Sequence, residues 1–139
     1  MARWRFYPCA VLFCGTLAVA PIAIAAEKPS AAAVEHFENK IRPVLAGTCA
    51  KCHGSQQASG GLRVDSLDAL VTGGEHGPAL VPGSPDESLL IRAIRHTDDE
   101  VVMPPDAELA RSVVDDFAKW VEHGAPWPEG PVGDKDPFA

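Results

Sequence analysis

Positive charge, cysteine, methionine and alternating apolar runs are all scarce in this chain, and each shortage closes off a class of protein. Twelve Lys and Arg face nineteen Asp and Glu across 139 residues, a net charge of −7. Nucleic acid is held by basic surfaces, so it is excluded as a partner. No stretch alternates apolar with polar residues for long enough to demand a sheet, and there is no internal repeat. What is there is 46% hydrophobic and 22% charged, a globular composition rather than a disordered one. Thirteen prolines and twelve glycines predict a loop-rich chain, and the length allows one small domain.

The start of the chain carries Arg3 and Arg5, residues 9–26 hold no charged side chain, and Ala23-Ile24-Ala25 offers small residues in an A-x-A pattern. That is the layout of a secretory signal peptide, expected over residues 1–25. An uncleaved membrane anchor is the rival, because the apolar run approaches a bilayer-spanning length; Pro21 and the alanine-rich end favour cleavage. A lipoprotein site at Cys14 is disfavoured by the bulky Phe13 before it. Cleavage near Ala25/Ala26 leaves ten cations against nineteen acids, a net charge of −9. The expected product is periplasmic or otherwise exported, with no stable membrane insertion. It retains Cys49 and Cys52 as its cysteines and Met103 as its methionine. A disulfide between residues three apart would close almost no loop, so stability must come from something else.

Residues 26–33 read as a flexible entry. Phe37, Ile41, Val44 and Leu45 then recur at helical spacing, predicting a first helix near Val34 to Ala46, bent at Pro43 and stopped by Gly47. From Gly54 to Gly83 glycines punctuate a connection with one short helical turn near Leu67 to Val71, after Ser66. A connection this long and irregular fits a compact domain only if it wraps something. Ser84-Pro85-Asp86-Glu87 predicts a helix N-terminus, with serine as cap, proline at the first position and glutamate at the third. That helix runs to about Arg95 and His96. Val113, Val114, Phe117, Trp120 and Val121 mark a last amphipathic helix from about Arg111 to His123, closed by Gly124 and Pro126.

Cys49-Ala50-Lys51-Cys52-His53 has the C-x-x-C-H spacing of a covalent attachment site for c-type haem. On one turn of backbone, two thiols reach the two vinyl groups of one porphyrin, and the adjacent imidazole is directed at the iron. Attachment of this kind takes place outside the bacterial cytoplasm, which the leader provides for. Three other readings compete. Zinc needs two more ligands, and His36, His76, His96 and His123 lack paired spacing. A thioredoxin-like pair belongs between strand and helix, whereas this one follows a helix and a glycine. Chance is the third.

The second axial ligand is expected to be Met103, held between Val102 and Pro104-Pro105 in a proline-stiffened loop; the alternative is a methionine that fills a core gap. His76 and His96 could each replace it, although His76 lies in a polar loop and His96, like His123, suits a helix C-terminus. Arg63 could pair with a haem propionate, but a lone loop arginine is more often exposed. Phe117 and Trp120 are expected in the core, with the porphyrin face as one wall.

These segments resemble a family. Phe37 to Leu45, the C-A-K-C-H run, Gly60-Gly-Leu-Arg-Val-Asp-Ser, Gly73-Gly-Glu-His-Gly-Pro-Ala, Val81-Pro-Gly-Ser-Pro-Asp-Glu-Ser-Leu-Leu, Met103-Pro-Pro and Trp120-Val-Glu-His-Gly-Ala-Pro are similar to the planctomycete-type cytochrome c domain. The resemblance spans about Val34 to Pro126. It implies an all-α, loop-rich, cytochrome c-like fold wrapped around one haem c, with Cys49 and Cys52 as thioether sites, His53 proximal and Met103 distal. Ala110 departs from the family, whose last helix commonly starts on serine or threonine. Such domains also usually front much larger secreted proteins. The expected organisation is a signal peptide over 1–25, the entry over 26–33, a cytochrome c domain over 34–127 and a polar tail over 128–139.

The leading expectation is a monohaem electron carrier, not an enzyme, working with redox partner proteins that present basic docking surfaces to its acidic one. The alternatives are a haem-containing sensor or interaction module, the detached N-terminal haem domain of a larger secreted protein, and a peroxidase-like enzyme with an open distal site. N-terminal sequencing of the purified protein is expected to begin at Ala26 or Glu27; an intact Met1 in the membrane fraction would show that the leader is retained as an anchor.

Overall fold

A computed structural model describes residues 28–128. The expected leader and the polar tail beyond residue 128 lie outside the described residues. Helix α1 occupies residues 31–53 without a break in helical backbone. It is made of α-helical segments Ala31–His36, Arg42–Val44 and Ala50–His53 joined by π-helical turns Phe37–Ile41 and Leu45–Cys49. Ser30 caps it, its hydroxyl accepting from the Ala33 N–H at 3.2 Å, which is why it begins before Val34.

The expected stop at Gly47 does not occur. Pro43 has no N–H to donate and would crowd the carbonyl four residues back. The flanking π turns widen the backbone on either side, with Arg42 N–H bonding to Phe37 C=O and Ala50 N–H to Leu45 C=O, each five residues back. The helix therefore passes through the proline. Gly47 sits in the second π turn with nothing within 4 Å of where a Cβ would be.

Among the described residues there is no strand, only isolated bridges between His53 and Ala58 and between Gly74 and Gly77. A 3₁₀ turn at Ser59–Gly61 leads to α2, Leu67–Thr72. Ser66 caps α2 through its hydroxyl at 3.1 Å from Ala69 N, as its position before the apolar run predicts. The next helix, α3, is Leu89–Ile94. Its cap is Ser88, not the expected Ser84, and Ser84 to Glu87 form a separate turn. Burial decides this: Ser88 is fully buried, and its hydroxyl accepts from Val81 N at 3.0 Å and donates to Ser84 C=O at 2.9 Å. The serine thus ties the preceding turn to α3.

The last helix, α4, is Arg111–Glu122. Ala110 precedes it without a side-chain cap, the departure noted from the sequence. Val114, Phe117, Trp120 and Val121 form its buried face. They meet α1, where Phe37 lies 5.9 Å from Trp120 and 4.6 Å from Trp127 between ring centroids. Trp120 Nε1–H donates to Pro126 C=O at 3.0 Å, and His36 Nε2–H donates to Asp116 C=O at 3.1 Å, pinning α1 to α4 at both polar and apolar points. No helix among the described residues is long and apolar enough to cross a membrane.

Because α1 runs through Gly47 in an exposed helical position, Gly47→Ala is expected to raise stability by about 0.5–1 kcal/mol, read as a higher melting temperature by circular dichroism. A helix that ended there on a left-handed glycine would instead lose stability on the same change.

Candidate functional site

The end of α1, the connection that follows it, α3 and the loop after α3 enclose a cavity of about 470 Å³. That lies within the range of about 300–1,000 Å³ usual for small-molecule and cofactor sites. Cys49, Cys52, His53 and Met103 all line it. Its walls are mainly apolar, with Leu62, Val64, Leu90 and Ile94 among them, and its polar lining includes Lys51, Glu75, His76, Glu100 and Asp106.

Each wall has a local cause. The glycines of the long connection let two loop segments meet backbone to backbone. Glu75 N–H donates to Gly60 C=O at 2.8 Å and Gly74 N–H to Gly77 C=O at 3.1 Å. Gly73 has φ +75°, and a Cβ there would fall on the Gly77 carbonyl, so no other residue fits without rebuilding the clasp. The connection wraps the cavity, as its irregularity required. His53 is fixed from the same side, its C=O accepting from Val64 N–H at 2.9 Å.

Met103 is half-buried and packs against the core. Its N–H donates to Ala93 C=O at 3.1 Å, and its bond to Pro104 is cis. The loop that delivers it is shaped by Asp98, whose carboxylate accepts from Glu100 N at 3.1 Å, Val101 N at 3.0 Å and Arg92 Nε at 3.2 Å. Those bonds hold the Asp98 carboxyl below its ordinary range, the two backbone N–H groups first and the arginine after them.

The two cysteines are free and differently placed: Cys49 is half-buried and Cys52 exposed. Burial pushes the Cys49 thiol up to about 11, outweighing a backbone hydrogen bond that pulls it down. A redox-active cysteine pair needs the opposite, a thiol lowered toward neutrality, usually at a helix N-terminus. This pair lies at a helix C-terminus, so the thioredoxin-like reading loses its chemistry.

Among the described residues, one buried side-chain nitrogen or oxygen has no hydrogen-bond partner, and it is His53 Nδ1. Such orphans are rare and call for an explanation. No cluster of three or more His, Cys, Asp or Glu among the described residues could hold a metal ion, so Cys49, Cys52 and His53 do not converge on one point. Two free thiols and an imaginary meeting point for an ion are thus poorly matched, whereas two spaced thiols, an imidazole, a thioether and apolar walls match a flat macrocycle with sulfur-reactive edges and a central metal. The donor set fits a haem of the c type.

Other sequence candidates fall elsewhere. Arg63 is exposed, as a lone loop arginine more often is; it forks both its Nε and Nη2 onto Asp65 and does not line the cavity. Phe117 and Trp120 are core residues, as expected, but neither lines the cavity. Their partners are Phe37 and Trp127, because α4 packs on the start of α1 and not on its end. His76 lines the cavity with its side chain about half exposed and lies 4.0 Å from Glu100. His123 Nδ1–H donates to Lys119 C=O at 2.7 Å at the end of α4. The residue that sequence reasoning assigned too small a part is His96, whose ring nitrogen Nε2 lies 3.2 Å from Met103 C=O. A histidine seven residues before the methionine was the available signal.

Residues 49–107 match the family model described as Planctomycete cytochrome C. The stretch begins at Cys49 and takes in the wrapping connection, α2, α3 and Met103; most of α1 and all of α4 lie outside it. Over that stretch the match supports a planctomycete-type cytochrome c domain, and the described residues have the helical fold expected of one. No curated protein and no solved structure matches the chain.

The clasp at the cavity wall carries a direct test. Gly73→Ala is expected to destabilise the domain by at least about 2–3 kcal/mol through backbone strain and overpacking. Thermal melting should show that loss, and a melting temperature equal to the parent's would mean that the loop does not depend on Gly73.

Proposed function

We propose that this planctomycete-type cytochrome c domain is an exported monohaem carrier that passes single electrons between redox partners. The observation that carries the reading is the convergence of Cys49, Cys52, His53 and Met103 on one largely apolar cavity, with His53 Nδ1 buried and unpartnered. When bound, haem c supplies a one-electron iron couple. Cys49 and Cys52 would tether it as thioethers, and the His53 imidazole and the Met103 thioether would hold its iron. The apolar walls exclude water and disfavour the extra positive charge of the ferric state, and the Met103 thioether favours ferrous iron; both raise the potential. No residue is asked to move a proton, so the chain is read as a carrier rather than an enzyme.

The lining acids Glu75, Glu100 and Asp106 outnumber Lys51, which supports encounter with a partner whose docking surface is basic. Weak, steered contact of that kind suits rapid turnover. Export rests on the leader read from the sequence.

Acid-acetone treatment should leave the cofactor on the protein, and the intact mass should exceed that of the mature polypeptide by one haem. Replacing both Cys49 and Cys52 by alanine should abolish retention. Ferric protein should show the weak near-infrared sulfur-to-iron band, ferrous protein should resist carbon monoxide, and Met103→Ala should lose the band, admit carbon monoxide and lower the midpoint potential. A bare-polypeptide mass would overturn the haem assignment, and ready carbon monoxide binding by the parent protein would overturn the carrier.

A further inference from the structure

His96 is one of two non-glycine described residues with positive φ, at +56°. Histidine visits this region more readily than most residues, but the conformation is uncommon enough to ask what it achieves. It follows α3 directly, after the cap residue Arg95, and turns the imidazole back along the outgoing loop. There Nε2 lies 3.2 Å from Met103 C=O. A carbonyl can only accept, so Nε2 carries the hydrogen. Nδ1 lies 3.7 Å from Glu108 Oε1 on the segment leading to α4. The ring is largely covered, with a quarter of the side chain exposed.

The Met103 N–H is already held by Ala93 C=O at 3.1 Å. Ala93 belongs to α3 and is buried. Both backbone polar groups of Met103 are therefore tied to the end of one buried helix, one by the helix backbone and the other by the first residue beyond its cap. Two fixed points, one on the peptide unit at either side of its Cα, leave the Met103 side chain little freedom to swing. His96 does not itself line the cavity, so whatever it does there it does through Met103.

We infer that His96 is a positioning residue for Met103: its left-handed backbone and its bond to the Met103 carbonyl hold the thioether in the cavity as a persistent ligand. The inference rests on the proposed ligation by Met103. It adds that persistence, as distinct from the presence of the sulfur, is set by a side chain outside the cavity. A histidine that only neutralised the end of α3 would leave the dissociation of the thioether unchanged.

The test uses the haem-loaded protein and three variants. His96→Gly accepts the positive φ while removing the ring. His96→Gln keeps a donor of similar reach, and His96→Leu keeps bulk without a donor. In His96→Gly, carbon monoxide should bind the ferrous protein roughly fivefold to tenfold faster, the scale of one net hydrogen bond. The sulfur-to-iron band should weaken, and amide exchange across residues 99–105 should rise while helical circular dichroism stays at the parent value. Gln should restore most of the parent behaviour and Leu should not. Parent-like carbon monoxide rates and band in His96→Gly would overturn the inference. If the glycine variant does not fold, equal rates in Gln and Leu would do the same. Failure of Met103 ligation is distinguishable, because it appears in the parent protein, without any change at His96.

Discussion

The organisation of the domain depends on one apolar stripe along α1 staying on one face from the aromatic cluster to the cavity. Phe37, Ile41, Leu45 and Cys49 repeat every four residues, and the first three are fully buried while Cys49 packs against the same core. In a straight α-helix of 3.6 residues per turn, a four-residue repeat creeps about 40° per step around the axis. Three such steps would carry Cys49 away from the face that Phe37 occupies. The π turns at Phe37–Ile41 and Leu45–Cys49 rotate less per residue and cancel the creep. They also absorb Pro43. One device thus solves two problems, and the motif at residues 49–53 reaches the cavity as a result. Frequent placement of π turns at functional sites has here a geometric reason.

Sequence patterns exposed the parts of the molecule that depend on nearby residues. The apolar spacing of Val114, Phe117, Trp120 and Val121 marks α4 within a residue of its ends, and Ser66 announces α2, because each rests on contacts within a turn or two. The stop at Gly47 misleads because glycine is permitted, not obliged, to leave the helix, and the packing of Leu45 beyond Pro43 outweighs its preference. Ser84-Pro85-Asp86-Glu87 carries the right residues for a cap, yet Ser88 wins through burial against Val81, which a local pattern does not contain. In the site, the 49–53 motif is legible since its members share one turn, and Met103 stands out by scarcity. That all four line one cavity depends on the glycine clasp and on α3. The bond from His96 to Met103 depends on a left-handed residue that helical spacing hides.

The unusual share of glycine and proline belongs to the same economy of space. A small domain that must build both a hydrophobic core and the walls of a cavity of about 470 Å³ has few side chains left for the walls. Backbone is used instead: Gly60 against Glu75, Gly74 against Gly77 and Leu70 C=O receiving both Ala79 and Leu80 N–H. Backbone walls are thin and already hydrogen-bonded, so they bring loop segments close without burying unsatisfied polar groups. The apolar side chains that remain are then free to face inward.

The two halves of the cavity are held by different parts of the molecule. His53 belongs to α1, which α4 secures through Phe37, Trp120 and the His36 contact to Asp116. Met103 belongs to a loop secured by α3 through Ala93 and His96. Fifty residues separate the two in sequence, so neither can follow the other through local backbone motion. In the proposed carrier this matters more than the identity of either ligand. An electron transfer in which both ligands keep their positions needs little reorganisation, and fixed groups contribute their stabilisation without moving at the moment of reaction. Independent anchoring of the imidazole and the thioether would give the proposed carrier that property: Val64 N–H holds the His53 carbonyl, while Ala93 and His96 hold the two backbone polar groups of Met103.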